Sequence, residues 1–266
     1  MSDKPKIVYI HGFGGSPHSQ TVGFLNQYYP DYEWCALEVD HHATASIKQI
    51  NDFAKENDVK AMVGTSLGGF YILCSDFTGP KLVVNPVIEP MKSLKKSVGT
   101  VQYHSRRSDG ATSFKFTMQD LFEFKKFKFT AGENVTCHYT EHDELLGDDI
   151  KRDYEKLFIN KKMCPKKTLP SHILGESYIK HELCEWLLGS GVIRLSRLTQ
   201  LPKRQWQLKI IKVKNLVLKL ALWDLKIRKN KTKKILIMIL VRAKQDRLVD
   251  QTQIKLLKRM LKRRKR

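Results

Sequence analysis

Cysteine is sparse in this chain. Its five copies, Cys35, Cys74, Cys137, Cys164 and Cys184, are an odd number, and no two stand in a C-x-x-C pair. That spacing excludes a zinc ribbon and argues against a disulfide framework, and it fits reduced thiols in a cytoplasmic protein. Long apolar runs are missing as well. Nothing approaches the roughly 18 apolar residues of a membrane-spanning helix. Met1-Ser2-Asp3-Lys4-Pro5-Lys6 leads straight into a short apolar strand, without the apolar stretch of a secretory signal. Acidic residues almost vanish toward the end. Residues 191–266 hold 25 Lys and Arg against Asp224, Asp246 and Asp250, and no Glu, Phe, Tyr, His or Cys follows Trp186.

What is present divides in two. The net charge of +21 belongs to the last part of the chain, because residues 1–190 carry 23 Lys and Arg against 24 Asp and Glu. The expected organisation is one globular domain over residues 1–189 and a basic tail over 190–266. A hydrophobic content of 41% is enough for a sizeable core. The tail mixes Lys with Leu and Ile without a clean period. It contains one short apolar run, Ile235 to Val241, and ends Leu261-Lys262-Arg263-Arg264-Lys265-Arg266. Three readings stand for it: contact with nucleic-acid phosphates, adsorption to an anionic membrane, or an out-of-frame extension, since a frame shift in an A-rich, Glu-coding stretch yields Lys and Arg.

Within residues 1–189, short β-branched runs alternate with helical patterns. Strands are expected at Ile7–Ile10, Trp34–Val39, Val59–Val63, Leu82–Val84 and Val135–Tyr139, with a strand-like piece at Lys167–Pro170. Helical spacing marks 19–29, 44–57, the segment after Ser66, and 178–188. This alternation predicts a doubly wound, mostly parallel α/β sheet with helices on both faces. Residues 90–130 break the rhythm with Lys and Phe, and read either as a lid over a site or as a peripheral helix pair.

Chemistry concentrates at Gly64-Thr65-Ser66-Leu67-Gly68. This is a G-x-S-x-G sequence between an apolar strand and a helix, the context in which a serine is pushed out on a strained turn at the end of a sheet. Ser66 is the candidate nucleophile. An oxyanion hole needs two N–H donors. Leu67, next to the nucleophile, and Phe13, after the first strand, are the candidates, with His11 shaping that loop. A serine nucleophile needs a histidine base and an orienting carboxylate, in the order Ser, acid, His for this fold. The carboxylate is expected just beyond strand 135–139, at Asp143, with Glu144 as the alternative. For the base, His104 and His138 fail on order or placement, and His142 adjoins the acid. His172 and His181 remain, and His172 is preferred because a loop aims an imidazole more freely than the middle of a helix.

Together these segments resemble the YqiA-type esterases, a family of small bacterial α/β-hydrolases. The resemblance rests on Tyr9-Ile10-His11-Gly12-Phe13, Val63-Gly64-Thr65-Ser66-Leu67-Gly68-Gly69-Phe70, Asn85-Pro86 with Pro90, His142-Asp143-Glu144-Leu145-Leu146, and His172. It covers about residues 5–189. Two positions depart from the family's habit: His142 stands where a Gly usually precedes the Asp-Glu pair, and Leu169-Pro170-Ser171 replaces a Gly-rich approach to the histidine. The resemblance implies an α/β-hydrolase fold and hydrolysis of short acyl esters without a metal or organic cofactor. It maps nucleophile, acid and base onto Ser66, Asp143 and His172.

Overall fold

The apolar run near the N-terminus becomes an inner strand, β1 (Lys6–Ile10), with Ile7, Val8, Tyr9 and Ile10 all buried. A strand covered on both faces reads as this kind of uninterrupted apolar segment. The computed structural model describes residues 4–129, 132–141, 143–147, 150–158, 162–165, 169 and 171–192. The tail's nucleic-acid, membrane and out-of-frame readings lie outside the described residues, as does His142.

After β1 come α1 (Gln20–Tyr28), β2 (Glu33–Leu37), α2 (Ala43–Glu56), β3 (Val59–Thr65), α3 (Leu67–Cys74) and β4 (Lys81–Val84). An insert follows: α4 (Pro90–Ser93), β5 (Gly99–Gln102), β6 (Ser113–Phe116) and α5 (Met118–Glu123). The chain then returns to the sheet through β7 (Val135–Tyr139), α6 (Ile150–Leu157) and β8 (Lys162–Pro165). It finishes its described part with α7 (Glu176–Tyr178), a π-helical turn (Ile179–Leu183) and α8 (Cys184–Gly189).

Six strands form one sheet in the order β2-β1-β3-β4-β7-β8, with every pairing parallel. The order reverses at β1, so a crevice opens between the carboxyl ends of β1 and β3. Open α/β sheets place their ligands at such a switch point. α2 packs on α3, and α1 packs on the π-helical turn. Among the described residues no helix is long and apolar enough to cross a membrane. Cys35, Cys74, Cys137 and Cys184 are free thiols. Burial pushes Cys35 up to about 11 and Cys74 up to about 12, which keeps both protonated at neutral pH.

The strand-like piece expected at Lys167–Pro170 lies, Leu169 apart, outside the described residues, and one strand the sequence did not announce, β8 at Lys162–Pro165, pairs beside β7. An edge strand pairs on one side only, so it tolerates a terminal Pro and needs no apolar run to announce itself. One expectation needs correction: the insert is not a helix pair. β5 and β6 form an antiparallel ribbon with Val101 opposite Phe114 and Gly99 opposite Phe116, flanked by short helices. The ribbon sits on the loop after β1. His104 N–H donates to the Gly14 carbonyl at 2.8 Å, and the Ser16 hydroxyl donates to the Arg106 carbonyl at 2.6 Å. Phe13 meets Phe114 and Phe116 edge-on at 5.3 and 5.0 Å between ring centroids. The 90–130 stretch is therefore a wall at the carboxyl edge of the sheet, the placement expected of a lid.

Candidate active site

Ser66 sits between β3 and α3 with φ 52° and ψ −121°, a backbone conformation that L-residues rarely adopt. The glycines around it allow the turn. A Cβ on Gly64 would lie 2.5 Å from the Gly68 carbonyl oxygen, and one on Gly68 would lie 2.3 Å from the Ile10 carbonyl oxygen. Ser66 is tied in by its backbone. Its N–H donates to the Val84 carbonyl, while its own carbonyl accepts from Gly69 and Val87, all three bonds at 3.0 Å. Its hydroxyl makes no hydrogen bond among the described residues and faces the loop after β1. A Cβ built on Gly12 would fall 3.0 Å from Ser66 Cβ and 3.5 Å from Ser66 Oγ.

Phe13 and Leu67 flank this point. Leu67 opens α3, so its N–H is one of the four that a helix leaves without an internal acceptor. The Phe13 N–H donates to no carbonyl among the described residues. Both residues border a cavity of about 10 Å³, walled also by Tyr71, Tyr103 and Phe114. His11 is buried, with Nδ1 2.9 Å from the Gly12 carbonyl oxygen. Burial lowers its pKa and keeps it neutral, in line with a residue that shapes the loop.

Asp143 and His172, 29 residues apart, meet at the carboxyl end of β7. His172 Nδ1 lies 2.8 Å from Asp143 Oδ2, and both side chains are almost fully buried. The other carboxylate oxygen, Oδ1, accepts the N–H groups of Leu145 at 3.0 Å and Leu146 at 2.8 Å. Burial alone would raise the Asp143 carboxyl. The hydrogen bond and charge of His172, with the two amides, outweigh it and hold the group below its ordinary value. His172 Nε2 is buried and has no hydrogen-bond partner among the described residues. No hydrogen bond joins it to Ser66, a separation common before substrate is bound.

The neighbouring carboxylate does something else. Both Glu144 oxygens lie 3.0 Å from the His172 backbone nitrogen and accept its N–H. Asn85 completes the clamp. It is fully buried, has φ 46°, and follows the Val84 carbonyl that holds Ser66. Its amide donates to the His172 carbonyl at 3.1 Å, and its oxygen accepts the Thr140 N–H at 2.8 Å. The Asn85-Pro86 pair is visible in the sequence, but its role is not, because both partners are distant along the chain. Three histidines weighed in the sequence are engaged elsewhere. His138 Nδ1 is 2.6 Å from the Tyr178 hydroxyl, and His181 is exposed, with Nδ1 bonded to the Ser177 carbonyl of its own helix. His104 packs against Gly14.

Residues 6–168 match Uncharacterised protein family UPF0227. Among solved structures, Est1E from Butyrivibrio proteoclasticus is similar with a TM-score of 0.52 at 15% identity, over 73% of this chain and 90% of that one. The same protein with ferulic acid bound gives 0.53 at 15% identity, over 73% and 92%. A monoacylglycerol lipase of Paleococcus ferrophilus gives 0.49 at 16% identity, over 70% and 96%. The likeness to Est1E, with the parallel sheet and its helices, makes this an α/β-hydrolase fold. By the match over residues 6–168 the chain belongs to UPF0227, the YqiA-type esterase family that its sequence resembles.

Proposed function

We propose that the protein hydrolyses carboxylic esters of short acyl chains through an acyl-enzyme on Ser66. The observation that carries this reading is the buried Asp143–His172 pair, whose ring offers an unbonded Nε2 on the sheet edge that also displays the strained Ser66. In the proposed reaction, Ser66 Oγ attacks the ester carbonyl carbon while His172 Nε2 takes its proton. Asp143 accepts the Nδ1–H and so fixes the tautomer that leaves Nε2 free to act as base. The Phe13 and Leu67 N–H groups stabilise the oxyanion, helped by the N-terminus of α3. The alcohol departs with the proton from Nε2. Water, deprotonated by His172, then cleaves the acyl-enzyme and regenerates Ser66.

The test is hydrolysis of p-nitrophenyl acetate, butyrate and octanoate by the wild type and by Ser66→Ala, with fluorophosphonate labelling alongside. Hydrolysis should favour the shorter esters, and Ser66→Ala should lose about 10⁴-fold or more in kcat with no labelling. A folded wild type that neither hydrolyses nor labels would overturn the proposal. Octanoate as the preferred ester would overturn its short-chain part alone.

A further inference from the structure

A second cluster of chemically capable side chains stands at the turn from β2 into α2, outside the Asp143–His172 pair. Asp40, His41 and His42 each place one donor atom within 4.8 Å of the others'. The backbone of this turn is fixed on both sides. The Asp40 carboxylate accepts the His42 N–H at 2.7 Å, and the Asp40 carbonyl accepts the Tyr71 hydroxyl at 2.9 Å.

His41 carries the argument. Its side chain is only 10% exposed and its ring stacks on Phe114 at 4.4 Å. Neither ring nitrogen makes a hydrogen bond among the described residues, and Nδ1 is wholly buried. Its Nε2 comes no nearer to a carboxylate than 3.9 Å, from Asp120 Oδ2; a buried imidazole that forgoes both hydrogen bonds is costly and calls for a partner that the described residues do not supply. His42 is prepared differently. Its Nδ1 lies 3.0 Å from Asp120 Oδ1, and Asp120 is held in turn by the Thr117 N–H at 2.7 Å and the Thr117 hydroxyl at 2.6 Å. A carboxylate on one imidazole nitrogen fixes the tautomer and turns the other nitrogen into a better metal ligand.

We propose that Asp40, His41 and His42 bind one divalent transition-metal ion of the zinc type, with Asp120 as the outer carboxylate that orients His42. Two imidazoles and one carboxylate suit such an ion and disfavour magnesium or calcium, which take all-oxygen shells. Three protein donors leave the fourth tetrahedral position to water. Donors about 2.0–2.1 Å from zinc lie about 3.4 Å apart, so the side chains close by about an ångström on binding. The ion would pin the β2–α2 turn beside the insert, where Asp40 and His41 border the same small cavity as Phe13 and Leu67.

Untagged full-length protein titrated with Zn(II) by calorimetry, and with Co(II) by visible absorption, tests this. One ion per chain is expected, with the strong visible bands of tetrahedral Co(II) and no comparable heat from Mg(II). His42→Ala, whose ring is half exposed, and Asp40→Asn should each weaken Zn(II) binding tenfold or more while circular dichroism shows the fold retained. No uptake by the wild type, or equal uptake by the wild type and both variants, would overturn the site.

Discussion

Ser66 and His172 reach the same edge of the sheet by opposite means. Ser66 is set by backbone close at hand: one strand, one helix, a positive φ, and glycines whose missing Cβ atoms let β1 and α3 approach. His172 is set by side chains from far along the chain. Asp143 holds its ring, Glu144 its N–H and Asn85 its carbonyl. The first arrangement rests on steric exclusion, which costs several kcal/mol to violate. The second rests on hydrogen bonds, each contributing about 1 kcal/mol net. The base should therefore be the easier of the two to misplace without unfolding the protein.

The sharpest break in that comparison is Asp143→Asn. On the proposed reading it should lower kcat by about 10⁴-fold, because the amide favours the wrong imidazole tautomer, while the protein stays folded at neutral pH. Stability should respond only in acid. The folded carboxyl is held below its ordinary value. Its contribution is thus complete above the unfolded pKa of about 3.9 and fades as pH falls through the lower folded value. Urea melts from pH 7 to pH 3 should show the wild-type advantage over Asp143→Asn shrinking in that window. An advantage that grew toward acid would contradict the assignment.

Gly68→Ala breaks the other side. The added methyl meets the Ile10 and His11 carbonyl oxygens at 2.3 and 2.4 Å. Both are backbone atoms, at the end of β1 and just beyond it, and cannot swing aside. A loss of about 3 kcal/mol in folding stability is expected, read as a fall in urea midpoint with the slope unchanged. A change below about 1 kcal/mol would mean that β1 and α3 have slack, and that the elbow is not sterically enforced.

The same contrast explains what was legible in the sequence. The elbow declares itself because strand, serine and glycines are contiguous, and β1, β3, β4 and β7 because inner strands are rich in apolar and β-branched residues. β8 did not, since its Lys162-Met163-Cys164-Pro165 carries no pattern and pairs only with β7. The ribbon was missed although Phe114 and Phe116 alternate with polar residues, because its two strands are joined by a ten-residue connection over 103–112. Asp143 and His172 could be chosen by chain order, and the structure brings them together. The jobs of Asn85 and Glu144 depend on contacts 87 and 28 residues away, which no local pattern records. Asp40-His41-His42 matches no metal-ligand spacing and shows itself only through the unbonded ring of His41.

Asn85 separates strain from tethering. Asn85→Ala removes the bonds to the His172 carbonyl and the Thr140 N–H, and leaves a Cβ residue at φ 46°. A loss of about 2 kcal/mol in stability and about tenfold in kcat is expected. Asn85→Gly relieves the backbone while still deleting the amide. It should recover about 1 kcal/mol of stability and none of the activity. Recovery of activity in the Gly variant would show that backbone geometry after β4, not the side-chain clamp, places His172.

Glu144 should matter least. It is exposed, and water can replace what it offers the His172 N–H. Glu144→Ala is expected to lower kcat by about threefold, a charged acceptor near the surface contributing below about 1 kcal/mol, and Glu144→Gln, which keeps one acceptor oxygen, should restore most of it. KM should not move in either variant, since the carboxylate touches the loop backbone and not the substrate. This small effect is informative because Glu144 and Asp143 are adjacent and the sequence alone leaves both open as the orienting acid. A loss in Glu144→Gln near that of Asp143→Asn would pass the orienting role to Glu144. The ring contact at 2.8 Å would then be only a packing partner of His172, and the clamp on its backbone, not the bond to its ring, would be what prepares the base.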